Sequence, residues 1–350
     1  MQPGRAGATG RARVGHVPGL KVGYKAPSDQ ADPRSLLAHG VLAERLGFDS
    51  VFVSDHLQPA RHDGGHAPFA PGWLGALGAS TQRVTIGTSV LTPTFRYHPA
   101  VVAQAFATLG HLFPGRVVLG LGSGEALNEA PLGGRWPDGR ERFARLREAV
   151  AVIRALWTQD RVDYRGEYYR LERATVYDRP ETPVPIWLAS SGPGATRFAG
   201  AHADGWVTTS GKDPSLYRDT LVPALAAGAA DAGRTLGDLD LMVEVKVSFD
   251  PDPQRALEAT RAWAPLALSP DQRAGTLDPV ELERLAADLG TDRTARRVVV
   301  SSDPDEHVER LRTYVDLGFT HLVVHSPDPD QAGFLERYGR EVLPLLRGLG

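Results

Sequence analysis

Two titratable side chains, Asp55 and His56, close the apolar run Ser50-Val51-Phe52-Val53-Ser54, and a stretch rich in His, Arg, Asp and Gly follows. An imidazole with an unperturbed pKa of about 6.5 exchanges protons at neutral pH, and an adjacent carboxylate can orient it. Farther on, Gly120-Leu121-Gly122-Ser123-Gly124-Glu125 joins close-set glycines to a second carboxyl group. Glycine lets a backbone approach a flat ring, and Glu125 can exchange a proton with it. The string is GxGxG with Glu in the sixth place, which departs from the dinucleotide fingerprint and rejects Rossmann-type binding. Lys212 ends a further β-rich segment, and Arg273 and Arg297 lie in or beside a later irregular stretch. Three cations meeting at one point would hold a phosphate dianion. His62, Asp63 and His66 are metal-ligating types, but their spacing matches no strong zinc pattern and two glycines between Asp63 and His66 read as a turn, so no metal is expected. Taken singly, each feature has a plainer reading: a structural histidine, a glycine turn, an ion-paired surface arginine.

These groups act together only if the fold gathers them. From Leu20 onward, short β-rich runs alternate with helical patterns, the signature of βα units and a parallel sheet. The runs are Leu20–Tyr24, Ser50–Ser54, Val84–Val90, Arg116–Gly120, Ile186–Ser190, Trp206–Thr209, Leu241–Phe249 and His321–His325. Eight alternations without a clear linker favour a closed βα barrel, whose mouth is built from the residues just after each strand. Those residues are Asp55-His56, Ser89-Val90-Leu91-Thr92, Gly122–Glu125, Ser190–Gly194 and Thr209–Lys212, nearly all polar or glycine. The first helix is expected to start at Asp32 as N-cap with Pro33 next, to present Ala38, Leu42 and Leu46 on one face, and to stop at Gly47. Another is expected over Arg140–Thr158, and a last near Gln331–Leu346, where Pro344 threatens an early end. Asp160–Pro185 reads as an insertion with a hairpin about Arg165-Gly166, and Trp263–Asp292 as a longer one after the seventh strand.

The chain of 350 residues, 42% hydrophobic, can fill the core of one large α/β barrel. A formal charge of −3 offers no global field for nucleic acid or an anionic membrane, so phosphate affinity must be local. With no cysteine there is no disulfide, thiolate metal site or thiol nucleophile, a composition that fits the cytoplasm. The opening residues, rich in Arg, Gly and Ala, contain no apolar segment of signal-peptide length. Residues 1–19 are expected to be a disordered extension and 20–350 a single domain.

Several strings together are similar to those of the deazaflavin-dependent glucose-6-phosphate dehydrogenases, within the bacterial luciferase-like superfamily. They are GYKA (23–26), SDHLQP (54–59), RHDGGHAPF (61–69), SVLTPTFRY (89–97), GSGEALNE (122–129), TSGK (209–212) and SDPDE (302–306), in order along the chain from about Leu20. The resemblance implies an α/β fold: an eight-fold βα (TIM) barrel of the luciferase-like type with insertions. It implies coenzyme F420, an 8-hydroxy-5-deazaflavin that accepts hydride, and oxidation of a sugar 6-phosphate at C1 to the lactone. It assigns ring contacts to Asp55, Ser89, Val90, Thr92, Ser123, Gly124 and Asn128, and the coenzyme's phosphate side to Ser191, Gly192, Gly194 and Ala195, where a helix start suits an anion. His56 and Glu125 match its proton-transfer pair, without settling which takes the proton of the C1 hydroxyl. Thr209, Lys212, Arg273 and Arg297 match the sugar-phosphate site. Two residues depart from the pattern: Arg273 replaces a lysine, and Ala60 stands where a tryptophan is expected beside the reacting centre, so other hexose 6-phosphates become plausible substrates. The family also implies a homodimer. The rival readings are an F420- or FMN-dependent oxidoreductase acting on another alcohol, a metal-dependent barrel hydrolase using His56, His62 and His66, and a non-catalytic coenzyme carrier. Lys212 with Arg297 argues against a neutral substrate.

Overall fold

In the computed structural model, which describes residues 19–273 and 276–349, eight parallel strands close on themselves. They are β1 (Lys21–Ala26), β2 (Ser50–Val53), β3 (Thr85–Thr88), β4 (Val117–Leu121), β5 (Ile186–Ala189), β6 (Gly205–Thr209), β7 (Asp240–Phe249) and β8 (His321–His325). Each pairs with the next in chain order, and β8 returns to β1, with Lys21 opposite His321. The eight β-rich runs of the sequence thus become the eight barrel strands. The expected extension falls outside the described residues except for Gly19.

Side chains alternate across a strand with a period of two, so one set per strand faces the barrel axis. Phe52, Val118, Trp187, Val207, Met242 and Val323 form one such inward layer and fill the barrel, with the Phe52 and Trp187 rings stacked at 5.5 Å. Two residues farther along the same or neighbouring strands come Lys25, Ser54, Ala189, Thr209, Glu244 and His325. This next layer, polar or small, is the floor of the cavity described below. An apolar layer beneath a polar one is what turns a packed barrel into a site.

The helices wrap the outside. Asp32 caps the helix Pro33–Leu46 by accepting from the N–H groups of Arg34 and Ser35, and Gly47 ends it at φ 93°. Its buried face is not the expected one: Leu36, Gly40 and Ala43 are buried while Ala38 is exposed and Leu42 and Leu46 only half-buried. The reason is close packing on the neighbouring helix Ala70–Ser80, where a Cβ at Gly40 would come within 2.7 Å of Leu77. The helix Gly139–Thr158 buries Leu146, Val150, Ile153 and Trp157 at helical spacing. The C-terminal pattern divides at Val342 into Gln331–Glu341 and Leu343–Arg347, with Pro344 in the first turn of the second piece.

Both expected insertions are present. The first is the hairpin Val162–Arg165 with Arg170–Ala174. The second follows β7 as short helices, including Pro253–Ala259, Thr260–Ala267, Pro279–Ala286 and Thr291–Ala295, and ends in a strand, Val299–Ser301, that pairs in parallel with the far end of β7. It overhangs the barrel mouth. Among the described residues no helix is long and apolar enough to cross a membrane.

Candidate active site

A cavity of about 1080 Å³ opens at the C-terminal ends of the strands. Every residue singled out for catalysis, coenzyme or substrate lines it except Gly194 and Arg297. Gly194 lies in the first turn of the helix Pro193–His202, with open space on its Cα. Arg297 stands behind the wall: its carbonyl and Cβ back the left-handed turn at Gly211 (φ 80°), and its charge reaches Lys212 and Lys246.

The loop after β2 is held by a buried charge network. The Asp55 carboxylate is wholly enclosed and accepts from Arg96 at 2.8 Å, from the Tyr97 hydroxyl at 2.9 Å and from the Ala70 N–H at 3.3 Å. Arg96 also donates to the Asp55 carbonyl and to Glu129. Asp55 therefore anchors the loop that carries His56. Burial pushes the Glu129 carboxyl up, against the pull of Arg96. Burial likewise pushes the His56 imidazole below its ordinary value, with Glu125 the largest opposing influence, so His56 is neutral at pH 7 and able to accept a proton.

Asn128, expected to touch the coenzyme, also ties the backbone just after His56 to Glu125. Its side-chain carbonyl accepts from the N–H groups of Leu57 and Gln58 at 2.7 and 3.2 Å, and its amide donates to Glu125 at 3.4 Å. The same loop is tied to the insertion: Gln58 donates to the Leu277 carbonyl, and Glu283 accepts from the N–H groups of His62 and Asp63. The chain turns at Asp63-Gly64, with the Gly65 N–H donating to the His62 carbonyl, and the His66 N–H donates to the Asp29 carbonyl. Among the described residues no group of three His, Asp or Glu side chains is placed to hold a metal ion.

Opposite lies a wall made of backbone. The Ser89–Val90 peptide is cis. The glycines after β4 pack against this segment: a Cβ at Gly120 would come 1.9 Å from the Thr88 carbonyl, and one at Gly122 2.6 Å from Val90. Such a surface suits a flat ring. Next to it, Ser191 and Gly192 lead into the helix Pro193–His202, whose free N–H groups suit an anionic group on the ring's side chain.

The floor holds residues that the sequence reading passed over. Lys25 donates to the Ser89 carbonyl and, at 2.8 Å, to Glu244, which also accepts from the Ser89 hydroxyl. Burial pushes the Glu244 carboxyl up, but Lys25 and His325 outweigh it and hold the group well below the usual carboxylate range. The signal was available for two of them: Glu244 and Lys246 are charged residues inside the otherwise apolar run Leu241–Phe249, while Lys25 falls just beyond the run Leu20–Tyr24.

Cations gather at one side of the mouth. Lys212, Lys246 and Arg273 line the cavity and Arg297 stands behind them; among the described residues none has a carboxylate oxygen within 4.0 Å. Burial lowers both lysines, and neighbouring cations lower them further. Positive charge without a carboxylate partner in contact, facing a cavity, suits an anion.

A closed βα barrel whose mouth combines a close-packed backbone wall, an imidazole, a carboxyl group and a cationic corner has the architecture suited to an oxidoreductase with a planar hydride carrier and an anionic substrate. The family profile of luciferase-like monooxygenases matches residues 15–321, and the chain belongs to that family. It is 65% identical over 328 residues, covering 94% of this chain and 98% of the relative, to a protein of Beutenbergia cavernae named F420-dependent glucose-6-phosphate dehydrogenase. A protein of Nakamurella multipartita bearing the same name is 61% identical over 332 residues, 95% and 98% of the two chains. Among solved structures, an F420-dependent secondary alcohol dehydrogenase in complex with an F420-acetone adduct superposes with a TM-score of 0.87 at 33% identity, covering 94% of this chain and 99% of that one.

Proposed function

We propose that this protein is an F420-dependent sugar-6-phosphate dehydrogenase that oxidises C1 of glucose 6-phosphate, and of other hexose 6-phosphates, to the 6-phospholactone. The observation that carries the reading is that one cavity joins His56 and Glu125 to a cluster of unpaired cations. Bound coenzyme F420 supplies a ring carbon that accepts a hydride with its electron pair.

The protein's own residues do the rest. Lys212 and Arg273, with Arg297 behind and Thr209 beside them, bind the phosphate and so orient C1. Neutral His56 accepts the C1 hydroxyl proton as the C1 hydrogen departs with its electrons, leaving a carbonyl. Glu125 manages the proton at the ring nitrogen N1. Asp55, held by Arg96, keeps His56 in place, and Asn128 fixes the separation of His56 from Glu125. Ser89, Val90, Thr92, Ser123 and Gly124 support the ring, and Ser191, Gly192, Gly194 and Ala195 its phosphate-bearing chain.

Ala60 borders both the main cavity and an adjoining pocket of about 220 Å³ walled by Ala126, Leu127, Leu266, Leu277 and Leu282. With no large ring at that position, mannose and fructose 6-phosphates should be accepted as well. We further place the protein in the cytoplasm as a homodimer, with residues 20–350 acting as a single domain. Purified protein mixed with oxidised F420 and each hexose 6-phosphate should bleach the deazaflavin absorbance, while NADP and FMN should not substitute. Absence of any sugar-dependent bleaching rules the reading out.

A further inference from the structure

Lysine is scarce in this chain, 4 residues against 35 arginines, yet Lys25, Lys212 and Lys246 all line the cavity at the barrel mouth. Lys25 is engaged by Ser89 and Glu244, and Lys212 belongs to the phosphate corner. Lys246 has no task in the reaction as derived above.

Its setting is built with care. β7 turns Met242, Glu244 and Lys246 inward at a period of two, so Lys246 stands one step above the Lys25–Glu244 pair. Its backbone is fixed on both sides: Lys246 N–H donates to the Ser210 hydroxyl at 3.0 Å, and the residue sits opposite His325 on β8. The ammonium lies 5.9 Å from the centre of the Trp263 ring, which attracts a cation without neutralising it. Glu244 is committed to Lys25, and no carboxylate among the described residues lies within 4.0 Å of Lys246. Among the surrounding charges Glu244 favours the ammonium most, and Arg297, Lys25 and Arg273 oppose it. A half-buried strand cation, unpaired and facing the cavity between the loop cations and the floor, is poised to meet an anion.

We propose that Lys246 is a substrate-binding residue whose ammonium bonds the substrate's anionic group from the barrel wall and so fixes how far that group lies from His56. This rests on the sugar-phosphate reading. The other cations ride on loops and an insertion, whereas Lys246 rides on a hydrogen-bonded strand and provides the rigid reference point. A compact ammonium with three donors fits that position, and a longer planar guanidinium would move the anion.

The test compares Lys246→Met, Lys246→Gln and Lys246→Arg with the unaltered protein in two measurements. The first is protection from urea unfolding by inorganic phosphate, which needs no turnover; the second is steady-state F420 reduction by glucose 6-phosphate. Loss of one charge-assisted hydrogen bond should weaken phosphate binding in the Met and Gln variants by roughly 10- to 100-fold and raise KM similarly, with kcat changed by less than about threefold. The arginine variant should recover phosphate protection but lose roughly tenfold in kcat, because the anion is displaced. Phosphate affinity within twofold of the unaltered protein in both neutral variants, or kinetics unchanged in Lys246→Arg, overturns the proposal. If the unaltered protein turns over no hexose 6-phosphate, the enzymatic reading fails, while the phosphate measurement still decides the role of Lys246.

Discussion

Replacing Arg96 by methionine removes a cation that touches both Asp55 and Glu129. The side chains of these carboxylates are 0% and 2% exposed, and that of Arg96 is 8% exposed. Breaking a buried ion pair by deleting one partner costs about 3–5 kcal/mol, because the remaining charge stays buried without compensation. Tyr97 and the Ala70 N–H still donate to Asp55, which places the expected loss near the lower end, about 3 kcal/mol. The loss should depend on pH. Burial already raises Glu129, and without Arg96 it rises further. A carboxyl whose folded pKa lies above its unfolded value of about 4.3 destabilises the folded state fully above the folded pKa and not at all below the unfolded one. The stability gap between Arg96→Met and the unaltered protein should therefore narrow as the medium is acidified from pH 8 to pH 5. Urea unfolding at both values, with m-values compared to confirm a common unfolding process, measures the gap. A loss below about 1 kcal/mol, or a gap as wide at pH 5 as at pH 8, refutes the account of this network.

Asn128→Ala frees the His56 loop and Glu125 together, so kcat for glucose 6-phosphate should fall by roughly 100-fold, the cost of about 1 Å of misplacement, while KM changes little; steady-state kinetics in which KM rises instead would assign Asn128 to substrate. Because burial lowers His56, kcat/KM should have reached its plateau by pH 7, with an acidic limb below about 6.5 that vanishes in His56→Gln along with most activity. Ala60→Trp should shrink the sugar site and raise the preference for glucose over mannose 6-phosphate, read as a ratio of kcat/KM values; an unchanged ratio would show that residue 60 does not select the sugar.

The barrel was legible because its strands are short β-rich runs at regular intervals and its mouth residues follow them directly, so Asp55, His56, Glu125 and Lys212 could be picked out from position alone. What escaped were residues whose role depends on partners far away in sequence. Arg96 reads as an ordinary loop arginine until Asp55 and Glu129 are seen around it. Glu244 pairs with Lys25 across 219 positions, a link that no local pattern encodes. The first helix was placed correctly and its buried face was not, because the face was decided by Gly40 admitting Leu77 from the next helix. Position 60 drew attention only through the resemblance; its residue type alone carries no signal.

The site divides its labour by the element that bears each group. Lys25, Glu244, Lys246 and His325 sit on strands, where pairing fixes the backbone before any side chain packs: Lys25 lies opposite Phe52, Glu244 opposite Thr209 and Val323, and Lys246 opposite His325. His56 and Glu125 follow strands β2 and β4 and lack that ladder. Each is steadied instead by side chains from elsewhere: Asp55 through Arg96 and Tyr97, the 57–58 backbone and Glu125 through Asn128, and Gln58 through Leu277. A proton-transfer pair needs placement to a fraction of an ångström, whereas an anion held by several cations tolerates more slack. Damage to the bracing of the loops should therefore be read mainly in kcat, and damage to the cations borne by loops and the insertion, Lys212, Arg273 and Arg297, mainly in KM. That split separates a residue that serves the chemistry from one that serves recognition, even where both lie in the same cavity.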